Sequence, residues 1–253
     1  MRLLYKIYEW RLERQVLKNR EKIPRHVAII LDGNRRFAKE RNLDPWEGHK
    51  LGLQKLEEVL EWLWNLGVRI VTVYAFSKEN FHRSEREVRE LMNLIKDGFI
   101  RIRRDERIKK YEIKVKAIGD LEELPEDVRA EIRKTEEFTR EFNGGVLNVA
   151  VSYSGRSEIV NAVKEIVKDY SKGKISLDEI NEDTFSRYLY TARLPDPDLV
   201  IRTSGEERLS GFLLWQSAYS ELYFCETNWP EFRRIDLLRA IRTYQGRERR
   251  FGR

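Results

Sequence analysis

The chain has 253 residues, 41% hydrophobic and 36% charged, with 14 glycines and 6 prolines, which excludes a disordered or low-complexity polymer and suffices for one large globular domain. The single cysteine, Cys225, excludes an internal disulfide or a thiolate metal cage and suits a reducing compartment, so a cytoplasmic protein is expected, with Cys225 itself a small buried apolar side chain. Net charge is +6, but residues 1–25 hold eight basic and three acidic residues and residues 246–253 four and one, so the body is near neutral and a nucleic-acid surface is not expected.

Residues 2–20 read as an amphipathic basic helix, with Leu3, Leu4, Ile7, Trp10 and Leu17 broadly on one side and Arg11, Arg14, Lys18 and Arg20 elsewhere; Pro24 ends it. Two readings stay open: a helix packed on the body, or an element that attaches the protein to a membrane surface. No apolar run reaches the ~18 residues of a membrane span, and the N-terminus lacks a signal-peptide pattern, so the protein is expected to be neither integral nor secreted.

Beyond Pro24, short β-branched runs alternate with long helical ones. The strands expected are His26–Leu31, Arg69–Tyr74, Glu112–Ile118, Val146–Val151, Leu199–Ile201 and Leu222–Phe224. Helices are expected at Trp46–Leu66, Glu85–Arg107, Glu126–Phe142, Glu158–Tyr170, Asp183–Tyr190 and Asp236–Arg249. In the second of these, Val88, Leu91, Met92, Ile95, Phe99 and Ile102 repeat at helical spacing, and Ser84 with Glu87 reads as a capping box. The alternation implies an α/β fold, a single domain with a six-stranded, mostly parallel sheet flanked by helices. No Pro-, Gly- or Ser-rich linker divides the chain, so residues 1–22 are taken as the N-terminal helix and 23–253 as one catalytic domain.

In such sheets ligands bind beyond the carboxyl ends of the strands. After the first strand stands Asp32-Gly33-Asn34-Arg35-Arg36-Phe37, an acid for a metal, backbone N–H groups for phosphate oxygens and arginines for their charge; the alternative is an Asp capping a short helix. After the fifth stands Arg202-Thr203-Ser204-Gly205-Glu206-Glu207-Arg208-Leu209-Ser210, where two arginines and a hydroxyl suggest a second phosphate clamp or a solvated loop. Between them, Phe76-Ser77-Lys78-Glu79-Asn80-Phe81-His82-Arg83 interleaves aromatic and polar side chains, as a site for carbon chains beside phosphates needs, or as a loop anchored by its phenylalanines shows. His49 is a further phosphate donor or a capping residue, and Glu221 a second metal carboxylate or an exposed acid. The chain has no P-loop, no G-x-G-x-x-G after a strand, no zinc spacing and no G-x-S-x-G elbow. An aspartate-nucleophile phosphatase would want a second acid where Asn34 stands.

Together, His26–Ala38, Gly48-His49-Lys50, Tyr74–Asn80, Asp198–Glu206, Phe212–Gln216, Ala218–Phe224 and Arg247–Gly252 resemble the cis-prenyltransferases, the undecaprenyl-diphosphate synthase family, in order and spacing from about residue 24 onward. The Asn34-Arg35-Arg36 form is closer to archaeal and eukaryotic members. The resemblance implies a parallel-sheet α/β domain with a hydrophobic tunnel, a homodimer, and Mg2+-dependent condensation of isopentenyl diphosphate with an allylic diphosphate such as farnesyl or geranylgeranyl diphosphate. Each step would make a Z double bond, and the product would be a long polyprenyl diphosphate used as a glycosyl carrier lipid. By matching position, Asp32 would be the metal-binding acid and Glu221 its partner. Gly33, Asn34, Arg35, Arg36, Phe37 and His49 would cradle the allylic diphosphate. Ser77, Lys78, Glu79, Phe81 and Arg83 would line the substrate junction, and Asn80 matches the position credited with proton removal, although a neutral amide is a poor base. Arg202, Arg208, Leu209 and Ser210, with Arg250 and Gly252, would clamp isopentenyl diphosphate. The chain departs from some bacterial members at Arg35, Phe37, Pro45, Phe81 and Glu207, and Leu53 stands where smaller residues occur near the allylic tail. A non-catalytic accessory subunit of a two-component enzyme is the rival; such subunits lose catalytic residues, whereas Asp32 and Arg250-Phe251-Gly252 are present.

Overall fold

In the computed structural model, which describes residues 2–247 with side chains from Leu4 onward, all six β-branched runs are strands. They are β1 (His26–Ile30), β2 (Ile70–Ser77), β3 (Ile113–Ile118), β4 (Gly145–Tyr153), β5 (Leu199–Arg202) and β6 (Glu221–Phe224). Their order is β3-β4-β2-β1-β5-β6, and every neighbouring pair is parallel. Both faces are covered, which is why the strands read as continuous apolar runs rather than alternating ones. Val27, Ile29, Val71, Val73, Leu199 and Ile201 face one layer, and Ala28, Ile30, Tyr74, Ala150 and Val200 the other, as the two-residue strand period requires.

The helices are α1 (Arg2–Lys18), α2 (Asn34–Glu40), α3 (Pro45–Leu66), α4 (Glu85–Arg104), α5 (Glu106–Lys110), α6 (Glu126–Phe138), α7 (Gly155–Ser171), α8 (Glu182–Ser186) and α9 (Arg234–Gln245). Buried side chains of α1, α3, α4, α6 and α9 build the first layer, while Phe212 and Leu213 contribute to the second.

Several boundaries differ from expectation for local reasons. The segment after β1 is not a loop but opens α2, with Gly33 at its N-cap. The helix expected to run to Arg107 breaks at Asp105, whose carboxylate accepts from the Arg107 N–H at 2.9 Å and so caps α5. The expected capping box of α4 is half made: Ser84 Oγ accepts from the Glu87 N–H at 3.3 Å, but the Glu87 carboxylate turns to Arg83 instead. The helix expected at Glu126–Phe142 stops at Phe138, because Thr139 Oγ1 accepts from the Val115 N–H at 3.0 Å and bonds the chain to β3.

Helix α1 packs on α9, but not through the expected face. Leu12 and Val16 are buried, and Glu9 and Glu13 pair with Arg234, while Leu4, Ile7 and Trp10 point outward among Lys6, Arg11 and Arg14.

Under the second layer lies a polar cluster centred on Glu158, the first-turn acid of α7. Its carboxylate accepts from Tyr190 N–H at 2.8 Å, from Gln216 Nε2–H at 3.1 and 3.2 Å, and from the Tyr153 hydroxyl. Burial pushes its pKa up, and the hydrogen bonds act against that shift. Glu158→Ala strands all these donors at once, so chemical denaturation is expected to show a loss of about 2–4 kcal/mol. Glu165→Ala, in an exposed pair on the same helix, should stay within about 0.5 kcal/mol of the parent.

Candidate active site

Because β1 and β5 are neighbours, segments 170 residues apart in sequence meet at the carboxyl edge of the sheet. Arg202 ends β5, and its Nη2–H donates to Asp32 Oδ2, just beyond β1, at 2.8 Å. Its Nη1–H donates to Ser210 Oγ at 2.8 Å and to the Arg208 carbonyl. The Arg202 side chain is only 5% exposed, so its charge requires this pairing. The other Asp32 oxygen accepts from the Gly33 N–H at 2.8 Å. Gly33 has φ +101, and a Cβ there would sit 2.5 Å from Asn228 Oδ1, so only glycine suits this approach. Arg36 donates to the Ser204 carbonyl and hydroxyl at 2.6 and 2.7 Å and pairs with Glu206, which also pairs with Arg208. The two phosphate stations read separately from the sequence are one continuous patch.

The turn after β2 forms the opposite rim. Ser77 N–H donates to Asn80 Oδ1 at 3.0 Å, part of a reciprocal cap. With its oxygen so engaged, the Asn80 amide offers its NH2 donor to a ligand, which suits orientation rather than proton removal. Lys78 Nζ lies 2.8 Å from Asp120 and 2.7 Å from Glu123; these hydrogen bonds raise its pKa and fasten the turn to the segment after β3. Phe81 packs edge-on against Phe76, with ring centres 4.8 Å apart. Arg83 Nη1–H donates to Glu87 Oε1 at 2.8 Å. His49 Nε2 lies 3.6 Å from the same oxygen; burial, reinforced by the positive charge of Arg83, pushes the imidazole down to about 4 and keeps it neutral at neutral pH.

Between these rims opens a cavity of about 660 Å³. Its mouth is polar, lined by Asp32, Asn34, His49, Ser77, Glu79, Asn80, Arg83, Arg202 and Ser210. Deeper, Leu53, Leu56, Leu60, Leu91, Ile95, Phe99 and Ile102 of α3 and α4 face Leu147 and Val149 of β4. Its inner end meets charge again at Glu57, Arg101 and Asp105, with Arg101 Nη1 3.4 Å from Glu57 Oε1. A polar mouth over an apolar body suits an amphiphile with an anionic head and a hydrocarbon tail.

The remaining sequence candidates lie off this wall. Gly33, Arg35, Arg36 and Arg208 stand around the mouth, whereas Lys78 and Phe81 border a separate shallow groove. Phe37 is buried beneath Arg41, whose guanidinium lies 4.6 Å from the ring centre, and Leu209 packs into the second layer. The pairing of Glu221 with Asp32 on one metal is not formed within the chain. Glu221 starts β6 level with Leu199 and, through it, Val27, so it lies at the amino edge of the parallel sheet, two strands across from β1 and roughly 16 Å from Asp32 along the strand direction alone at the usual rise. There it pairs with Arg247. Arg250 and Gly252 lie outside the described residues.

Several wall or rim residues escaped the sequence reading. Arg156 follows β4, where the strand-end rule could have found it; Tyr74 read only as the end of a strand and Trp229 was not singled out, yet both border the cavity. Glu87 read only as a helix cap.

The family model described as putative undecaprenyl diphosphate synthase matches residues 30–252. The chain belongs to the undecaprenyl diphosphate synthase family. It is therefore a prenyltransferase. It is 56% identical, over 99% of its length and 92% of the relative's, to a geranylgeranyl-diphosphate-specific tritrans,polycis-undecaprenyl-diphosphate synthase of Methanopyrus kandleri. A synthase of the same description from Picrophilus torridus is 53% identical over 98% of this chain and 96% of the relative. The crystal structure of lavandulyl diphosphate synthase from Lavandula x intermedia, in complex with dimethylallyl diphosphate, superposes with a TM-score of 0.89 at 38% identity, covering 92% of this chain and all of that one. A probable undecaprenyl diphosphate synthase from Campylobacter jejuni gives 0.75 at 30% identity, covering 91% and 99%. For this prenyltransferase the resemblance read from the motifs, the α/β sheet and the membership agree.

The donor set at the mouth bears on a metal. Among the described residues no group of three or more His, Cys, Asp or Glu side chains could hold an ion. A dedicated protein cage is thus not built there, but Mg2+ commonly binds through one or two carboxylates together with substrate phosphates and waters, and Asp32 at the mouth supplies one carboxylate.

Proposed function

We propose that this synthase condenses isopentenyl diphosphate repeatedly with an allylic diphosphate, each step making a Z double bond, to give a long polyprenyl diphosphate that serves as a glycosyl carrier lipid. The observation that carries this reading is the Asp32–Arg202 pair at the mouth of an apolar cavity. Geranylgeranyl diphosphate is the proposed primer, in line with the specificity in the names of the Methanopyrus and Picrophilus relatives. The accessory-subunit alternative is not favoured, since the candidate catalytic groups surround a formed cavity.

In this reading the allylic tail lies along Leu53, Leu56 and Ile95, with its diphosphate at Asp32, Gly33, Arg36 and His49. Arg202, Arg208 and Ser210 hold the diphosphate of isopentenyl diphosphate beside it. Mg2+, held by Asp32 together with phosphate oxygens and water, would neutralise charge on the departing diphosphate. The arginines around the mouth stabilise the same developing charge from fixed positions. As the allylic C–O bond breaks, the double bond of isopentenyl diphosphate attacks the allylic carbon; Asn80 orients the acceptor, and a phosphate oxygen or water takes the proton. The apolar walls shield the allyl cation from water.

The reading extends to two surfaces. On α7, Val160, Val163, Val167 and Tyr170 share one outward face and are 46–58% exposed, which supports a homodimer through this stripe. Among the described residues no helix is long and apolar enough to cross a membrane. The outer face of α1 combines exposed Leu4, Ile7 and Trp10 with basic side chains while its acids pair inward, which supports attachment to an anionic lipid surface.

With geranylgeranyl diphosphate and labelled isopentenyl diphosphate, Asp32→Ala should lower magnesium-dependent incorporation by at least about a hundredfold, with an unchanged circular dichroism spectrum; near-parental turnover would remove Asp32 from the chemistry. Leu4→Glu with Trp10→Glu, which spares the buried Leu12 and Val16, should lower binding to phosphatidylserine vesicles in a flotation assay without lowering turnover in detergent.

A further inference from the structure

Glu87 holds an unusual place for a residue at the start of a helix. Its side chain is 13% exposed, and Oε1 accepts from Arg83 Nη1–H at 2.8 Å while lying 3.6 Å from Arg35 Nε and 3.6 Å from His49 Nε2. These three groups come from the turn before α4, from α2 and from α3, so one carboxylate ties together three elements around the mouth. Arg83 and His49 line the cavity, whereas Glu87 stands behind them and borders only the small groove on their far side. His49 Nε2 is buried, and its approach to Glu87 is longer than a hydrogen bond.

A carboxylate among anion-binding groups has a cost and a use. It lowers the positive potential that would attract a diphosphate. It also neutralises two guanidinium groups that would otherwise repel one another, and holds Arg83 and Arg35 oriented toward a common point. We propose that Glu87 is a positioning residue, an internal counter-ion of the diphosphate station that holds Arg83 and Arg35 before substrate arrives and competes with phosphate oxygens for them afterwards. It thereby weakens diphosphate binding and favours release after each condensation. The inference rests on the proposed diphosphate site and deepens it.

Calorimetric titration of the full chain with inorganic diphosphate, in EDTA at low salt, separates the two ideas. Wild type should bind, and Glu87→Gln should bind about tenfold more tightly, an advantage that shrinks in 0.5 M salt. Glu87→Asp, which withdraws the charge from Arg83 but keeps it, should fall between them and covers the case in which the glutamine variant does not fold. Equal or weaker binding by a folded variant would overturn the counter-ion role, leaving Glu87 a structural tie. Absence of binding by wild type both in EDTA and with Mg2+ in its place would overturn the diphosphate reading of the site itself, and this inference with it.

Discussion

A buried guanidinium must have a partner, and in this fold Arg202 finds its partner across two strands. Its side chain, 5% exposed, reaches Asp32 at 2.8 Å from the end of β5 to the end of β1. That contact needs β5 next to β1, in parallel and in register, with Ile30 opposite Arg202. The order of the central strands and the direction of the chain in each bring the two residues together, and the loop from Ser204 to Ser210 is fastened beside them. Breaking it from either side leaves an uncompensated charge at the point where a substrate anion should bind.

The cavity hangs from this edge. One face of the sheet and the facing sides of α3 and α4 give it an apolar wall; the loops after β1, β2 and β5 give it a charged mouth. In the proposed reading, chemistry at the mouth and storage of the growing chain are adjacent, since carbon added there would have an apolar route away from it. The unexpected break at Asp105 belongs to the same design. It turns Arg107 back toward α3, where the guanidinium lies 2.8 Å from Glu61, and it leaves Asp105 on the cavity wall beside Ile102 and Ile108.

The strands were legible because a parallel sheet buried on both faces leaves uninterrupted β-branched runs, and the segments Asp32–Phe37 and Arg202–Ser210 were legible because chemistry concentrates at strand ends. What joins those segments is tertiary. No local pattern shows that Arg202 reaches Asp32, or that Arg36 reaches Ser204. Helix α2 stood in the sequence as the alternative to a phosphate loop, with Asp32 as its cap; the cap is instead Gly33, a glycine with positive φ. The outward turn of Leu4, Ile7 and Trp10 was hidden because helical spacing shows a face without showing which face docks; the salt bridges of Glu9 and Glu13 to Arg234 decide it. Glu221 shows a related limit: a motif gives the identity of a carboxylate, while strand direction places this one, within the chain, at the opposite edge of the sheet from Asp32.

In the proposed reading the charged mouth and the apolar body work as one site. The most direct test is the chain-length distribution of the products, read by mass spectrometry, for the parent and for Leu56→Trp, which fills the body without touching the mouth. Shorter products are expected from the variant, with the first condensation retained. An unchanged distribution at full activity would show that the growing chain does not occupy this cavity and that mouth and body are not one site.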